Sequence, residues 1–285
     1  MKMGDDGMIS SQACVSAQGV GFSRRSTQNT TLEHTLDFDK GKRGIASGSL
    51  KKGVKAILDH TWIPFILYTM KNLPNERGHM APSLMEMAWQ RARASSLDYI
   101  DAHMQRAMIF SSREQLWEFV VRDIRSDGLA AEFGVWEGYS IRCFAKHFQL
   151  VYGFDSFLGL HEDWVGHDLL KGNFDLKGVL PAVPANVQLV PGWFDQTIPP
   201  FLQEHRGNFS FVHVDSDTYE AATTVLSLIA DRLQSGTVLV FDEYFGFHGW
   251  QQGGEYRAWQ DLAAKNSLKY QYIACSERQV ALRLI

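Results

Sequence analysis

Two textures of apolar and polar residues divide the chain. From Val54 to about Gly128 the apolar positions recur at three- and four-residue spacing without strand-like alternation, as in "SLMEMAWQRARASSLDYIDAHMQRAMIF", and predict helices. "SSREQLWEFVVRDIRSDG" adds a capping box, Ser111 with Glu114, and a C-terminal stop at Gly128. Beyond Gly128, short apolar runs alternate with helical stretches. Strands are expected at Leu129–Val135, Leu150–Phe154, Val187–Val190, Phe209–Val214, Thr237–Phe241, Tyr270–Ala274 and Gln279–Leu284. Helices are expected at Tyr139–Phe148, around 160–180, and at Phe194–Glu204, Thr218–Leu233 and Gly254–Asn266. This alternation predicts an α/β fold, a Rossmann-like parallel sheet with helices on both faces. Only "CSER" separates the last two strands, too little for a crossover, so they form a hairpin and the final strand runs antiparallel to its neighbours.

Residues 1–50 lack apolar periodicity and read as a flexible arm. Residues 51–105 read as an N-terminal helical cap and 106–285 as the main seven-stranded domain. The balance of 45% hydrophobic and 21% charged residues, with net charge −4, is that of a globular protein and gives no reason to expect nucleic acid. The three cysteines are odd in number and far apart, with no CxxC pair, and suggest neither a zinc knuckle nor a disulfide framework. The apolar stretch 56–70 is interrupted by Asp59, His60 and Pro64 and is too short to span a bilayer. With no signal-peptide pattern at the start, the expected setting is the cytoplasm, without a membrane partner. The cap and the apolar segment 54–70 would suit a homo-oligomer contact.

Candidate chemistry gathers at the strand ends. The first predicted strand runs into "AEFGVWEGYSI", where Glu132, Gly134 and Gly138 form E-x-G-x-x-x-G at a strand-to-helix turn. The glycines permit a tight turn and close approach of a ligand to backbone, although structural turn glycines would look the same. The second strand ends in Asp155, 21 residues after Gly134, a distance suited to an acid that accepts from ribose hydroxyls. A turn or cap aspartate is the alternative. Together they imply a nucleoside-containing cofactor. The fourth strand ends in Asp215 and Asp217, and the fifth in Asp242 and Glu243, 27 and 28 residues after Asp215. Either of the first two carboxylates alone could cap the helix near Thr218. Gathered at one sheet edge, several carboxylates call for a cation, and a hard divalent ion such as Mg²⁺ suits oxygen ligands. His213 fits an inward, satisfied polar residue, whereas His248, in "YFGFHGWQQGGEYRAW", is a second candidate base.

The motifs "EFGVWEGYS", "GFDSFLGL", "LVPGWFDQTIP", "VDSDTYEAAT" and "VFDEYFGFHGWQQG" occur in the order seen in class I S-adenosylmethionine-dependent methyltransferases. Over roughly residues 105–285 the chain resembles the macrocin O-methyltransferase (TylF-like) family, which methylates sugar hydroxyls of antibiotics. The resemblance implies a methyl transfer from S-adenosylmethionine, with Mg²⁺, to a hydroxyl of a glycosylated or otherwise hydroxylated natural product. It assigns Glu132, Gly134 and Gly138 to the methionine side of the cofactor, Asp155 with the adjoining Ser156 to the ribose, and Gly192 and Trp193 to the adenine, although Trp193 also suits plain core packing. It makes Asp215, Asp242 and Glu243 metal ligands, Asp215 also bordering the cofactor, and Asp217 the general base. Family members often carry two aspartates where this chain has Asp-Glu, which bears on the metal geometry. The competing readings are a nicotinamide-dependent oxidoreductase, disfavoured by the missing G-x-G-x-x-G, and a non-catalytic cofactor-binding or scaffold protein, which would not need the acids.

Overall fold

The computed structural model describes residues 82–124 and 127–285. The arm at 1–50, the first part of the cap and the apolar segment 54–70 lie outside the described residues.

Of the residues expected to form the cap, those described form one long helix, α1 (Leu84–His103), whose N-cap Ser83 accepts from the Glu86 N–H. It leads through a two-residue strand, β1 (Met108–Ile109), into α2 (Arg113–Val120). Ser112, not Ser111, caps α2, because Ser112 has the extended backbone a cap needs and accepts from the Gln115 N–H. Ser111 instead donates to the Gln115 side chain. After α2 a single 3₁₀ turn, Val121–Asp123, replaces the helix expected to continue towards Gly128.

The remaining elements are β2 (Leu129–Phe133), α3 (Tyr139–Phe144), β3 (Val151–Asp155), β4 (Val187–Pro191), α4 (Phe194–Glu204), β5 (Phe209–Val214), α5 (Tyr219–Ile229), β6 (Val238–Phe241), α6 (Gly254–Asn266), β7 (Tyr270–Cys275) and β8 (Val280–Leu284). Eight strands form one sheet in the order β1-β7-β8-β6-β5-β2-β3-β4. The seven expected strands are all present, with β1 added beside Ala274 and Cys275, too short to leave a periodic signal. As expected, β8 is antiparallel to both its neighbours, β6 and β7, and every other pair is parallel. The helix expected around 160–180 does not form. Glycines at 159, 166, 172 and 178 all take positive φ, as do Phe157, Phe174 and Lys177, and this left-handed backbone is incompatible with a helix.

Alternation along the strands divides the core between the two sheet faces. Ala131, Phe133, Val212, Val214, Leu239 and Phe241 pack on one face with α4, α5 and α6. Ala130, Phe211, Val238 and Val240 pack on the other with α2 and α3. Helix α1 docks on the first face through buried Ala92 and Met104 and through Tyr99. The Tyr99, Tyr244 and Tyr272 hydroxyls form a chain at 2.6 and 2.7 Å, and the Gln260 amide donates to Tyr244 and Tyr270, so these phenols enter the core with their polar ends paired. β2 lies between β3 and β5, so successive strands leave it in opposite directions, and such a reversal opens a crevice at the carboxyl ends of the strands.

Candidate active site

A cleft of about 830 Å³ occupies that crevice, lined by the turns that follow β2 to β6. The turn after β2 is shaped by its neighbours. Gly134 (φ 97°) lies so close to the turn after β5 that an added Cβ would fall 1.6 Å from the Asp215 carbonyl oxygen, so only glycine fits. Gly138 (φ 78°) opens α3. Asp155, at the end of β3, holds this turn from the other side. Its Oδ2 accepts from the Val135 and Trp136 N–H groups, both at 2.8 Å, and its Oδ1 from Phe157 at 2.7 Å. Each carboxylate oxygen offers two lone pairs, so one acceptor position on Oδ1 is left for a ligand. The residue read as a ribose acid is therefore first a staple for the loop.

Under the turn lies a buried ion pair set by strand register. Glu132 of β2 faces His213 of β5 in the parallel ladder, and Oε1 meets Nδ1 at 2.7 Å with both residues fully buried. Trp117 and Phe144 close over the imidazole. Burial alone would lower the His213 pKa, but Asp242, 3.7 Å from Nε2, and Glu132 raise it to about 10.

Next to that histidine stand the acids. Asp215, Asp242 and Glu243 each bring a carboxylate oxygen within 4.8 Å of the others. Asp242 and Glu243 are buried, Asp215 and Asp217 half-buried. Burial, and then the neighbouring carboxylates, push Asp215 and Glu243 well above the usual carboxylate range. Burial would raise Asp242 too, but His213 holds it below that range, and the Gln279 amide donates to its Oδ1. Neither Asp215 nor Asp217 caps α5. Thr218 does so, accepting from the Ala221 N–H. Asp217 instead sits at φ 64°, the apex of a three-residue turn closed by a 2.7 Å bond from the Thr218 N–H to the Ser216 carbonyl. A γ-turn of this hand is rare and strained, worth about 1–3 kcal/mol, and surrounding structure must impose it. One such constraint is Glu255, in the first turn of α6 and wholly buried. Its Oε1 accepts from the Ser216 N–H at 3.0 Å and its Oε2 from the Glu243 N–H at 3.1 Å.

Of the residues singled out in the sequence, Gly134, Asp155, Ser156, Gly192, Trp193, Asp215, Asp217, Asp242 and Glu243 line the cleft together. Glu132 and Gly138 lie outside its lining, the first paired beneath it and the second at the start of α3. His248 is not brought to the acids. It is exposed and absent from the lining, and its carbonyl backs onto Gly166, where a Cβ would lie 2.2 Å away. Sequence reasoning missed Glu255, because an acid in a first helical turn looks like ordinary dipole pairing. It also missed the cleft wall of Trp89, Trp164, His167 and Arg278, which comes from three distant segments. Arg278 stacks on Trp89 at 4.8 Å, and the His167 ring lies 3.9 Å from that of Trp164.

Sheet order, antiparallel terminal hairpin and the crevice beside β2 define a class I methyltransferase fold, and residues 131–244 match a family model described as a methyltransferase domain. Among individual proteins, the chain is similar to the 8-demethyl-8-(2,3-dimethoxy-alpha-L-rhamnosyl)-tetracenomycin-C 4'-O-methyltransferase of Streptomyces olivaceus, at 26% identity over 159 residues, 45% of this chain and 58% of the relative. The chain thus spans less than two thirds of that relative's length. Solved structures similar to it include the calicheamicin methyltransferase CalS11 (20% identity, TM-score 0.49, 87% of this chain and 98% of that one). The O-methyltransferase NovP is another (19% identity, TM-score 0.43, 60% of this chain and 76% of that one).

Proposed function

We propose that the protein transfers a methyl group from S-adenosylmethionine to a hydroxyl of a sugar-bearing or other natural-product acceptor, with a divalent cation, Mg²⁺, held by Asp215, Asp242 and Glu243. The convergence of those three carboxylates with Asp217 at the edge of one cleft carries this reading.

The residues present fit both groups. The cleft volume lies in the range for a nucleoside-sized ligand with a small acceptor beside it. The loop after β2, the remaining acceptor position of Asp155, and Gly192 with Trp193 would hold the nucleoside. For the cation, the donors are all oxygens, as a hard ion requires, and buried Glu243 Oε2 has no hydrogen-bond partner among the described residues. S-adenosylmethionine, when bound, supplies an electrophilic methyl group, and a divalent ion lowers the pKa of a coordinated hydroxyl. The chain's own residues orient and deprotonate. Asp217, held in its turn over the cleft, accepts the hydroxyl proton, and Thr218 rather than Asp217 fills the helix cap, which leaves the Asp217 carboxylate for this role. The wall of Trp89, Trp164 and His167 offers apolar faces on which a sugar ring can rest and excludes water from its far side. Orientation of this kind supplies a large share of a bimolecular rate gain. No helix of the described residues is long and apolar enough to cross a membrane.

Calorimetry is the direct test: S-adenosylhomocysteine should bind and NAD should not. The opposite result returns the protein to the oxidoreductase class. With an acceptor in hand, EDTA should abolish turnover and Mg²⁺ restore it; turnover untouched by EDTA removes the metal.

A further inference from the structure

Two separate turns carry the acids, one after β5 and one after β6. Their backbones are joined directly by the strand pairing, with Asp242 N–H donating to Val214 carbonyl at 3.0 Å. Beyond that bond the ladder ends, and Ser216 and Glu243 each present a buried N–H that no strand can satisfy. Both N–H groups point at one side chain, Glu255. We propose that Glu255 is a positioning residue: its carboxylate bridges the two turns and sets the spacing at which Asp215, Asp242 and Glu243 can share one cation, with Asp217 held beside them.

Three observations beyond the two bonds support this role. Glu255 is an acid buried at 0% exposure beside the carboxylates of Asp217, Asp242 and Glu243, a placement that costs stability unless its hydrogen bonds offset it. No other side chain of the described residues bonds both turns through their main chain. Its location is also prepared by local backbone. Gly253 takes the cap position of α6, and Gly254, at φ 64°, packs so closely on Phe247 that a Cβ would lie 3.0 Å from the ring. The first turn of α6 is accordingly buried at Gly254 and Glu255. An acid that only served the helix dipole would sit in solvent, where most of that benefit is available without burial.

The role rests on the metal reading above, so the test separates the two. Glu255→Gln keeps volume but replaces one acceptor oxygen by an amide NH₂, which cannot accept from an N–H; Glu255→Ala removes both acceptors. Mn²⁺ binding, followed by electron paramagnetic resonance, and S-adenosylhomocysteine binding, followed by calorimetry, are measured on the full chain. Hydrogen exchange at the Ser216 and Glu243 amides is followed by NMR. The expected result for Glu255→Gln is Mn²⁺ affinity lowered at least about tenfold, as for other groups that orient metal ligands. S-adenosylhomocysteine affinity should change less than about twofold, since Asp155 holds that loop, and exchange at one of the two amides should be faster. Glu255→Ala should lose more Mn²⁺ affinity than Glu255→Gln. If both variants bind Mn²⁺ as the wild type does, Glu255 merely fills space and the proposal is overturned, whatever their melting temperatures. If the wild type itself binds no Mn²⁺, the metal reading fails alone. The exchange arm then decides the bridge: unchanged protection at both amides in Glu255→Gln disproves it, and faster exchange upholds it. Should Glu255→Ala fail to fold, the glutamine variant carries the same decision.

Discussion

Single residues at this site hold more than one duty, and substitutions separate them. Asp217→Asn retains the side-chain shape and removes the basic oxygen. It should bind S-adenosylhomocysteine within about twofold of wild type yet lose about 10²–10⁴ in single-turnover rate, the usual worth of a general base. Full activity in that variant would remove Asp217 from the chemistry. Gly134→Ala is expected to fail for a geometric reason, since the methyl would overlap the Asp215 carbonyl and φ 97° suits no other residue. A loss of more than about 2 kcal/mol should appear in urea unfolding, with the acid turn displaced. Asp155 was legible as a site residue from its distance to Gly134. Its three backbone bonds were not, because they depend on how the turn after β2 folds back over β3.

At the level of elements, α1 and the segment after β6 form one unit against the sheet. Ser96 accepts from the Gly246 N–H at 3.0 Å and Ser95 from the Trp250 indole at 3.0 Å. Ser95→Ala/Ser96→Ala leaves both buried donors unsatisfied and should cost about 2–4 kcal/mol in denaturant unfolding, each orphaned group being worth about 1–2 kcal/mol. Because Trp89 of the cleft wall rides on the same helix, acceptor KM should rise more than kcat falls; an unchanged KM would detach α1 from acceptor binding. Most elements could be read from periodicity, which reports burial on one face. The helix expected at 160–180 could not survive Gly166, Gly172 and Gly178 at positive φ, and of that segment's apolar residues Trp164 is buried while Val165, Leu170, Val179 and Leu180 are exposed. β1 is two residues long, below any period a pattern can show.

At the scale of the fold, His167, packed on Trp164 of its own loop, links three distant parts: Trp89 of α1, Phe247 after β6 and Arg278 in the terminal hairpin. Burial, then the Arg278 charge, lowers its pKa from 6.5 to about 4, against a weaker opposing effect of Asp168. The folded state therefore keeps a neutral ring where the unfolded chain takes up a proton. Above pH 6.5 both states are neutral and the residue contributes no pH dependence. As pH falls from 6.5 towards 4 its contribution to stability is progressively lost. Melting temperature should consequently drop more between pH 7 and 5 in the wild type than in His167→Gln, and parallel curves would show that the ring titrates freely.

The sequence by itself determined the α/β alternation, the antiparallel terminal hairpin and the strand-end positions of the acids. All of these follow from local period and from how much chain lies between runs. Only the tertiary structure decided that Glu132 meets His213, that Asp155 staples the loop after β2, that His248 stands apart, and that Glu255 bridges two turns. Each of those depends on strand register or on backbone returning from far along the chain, and neither leaves a mark on the spacing of residues.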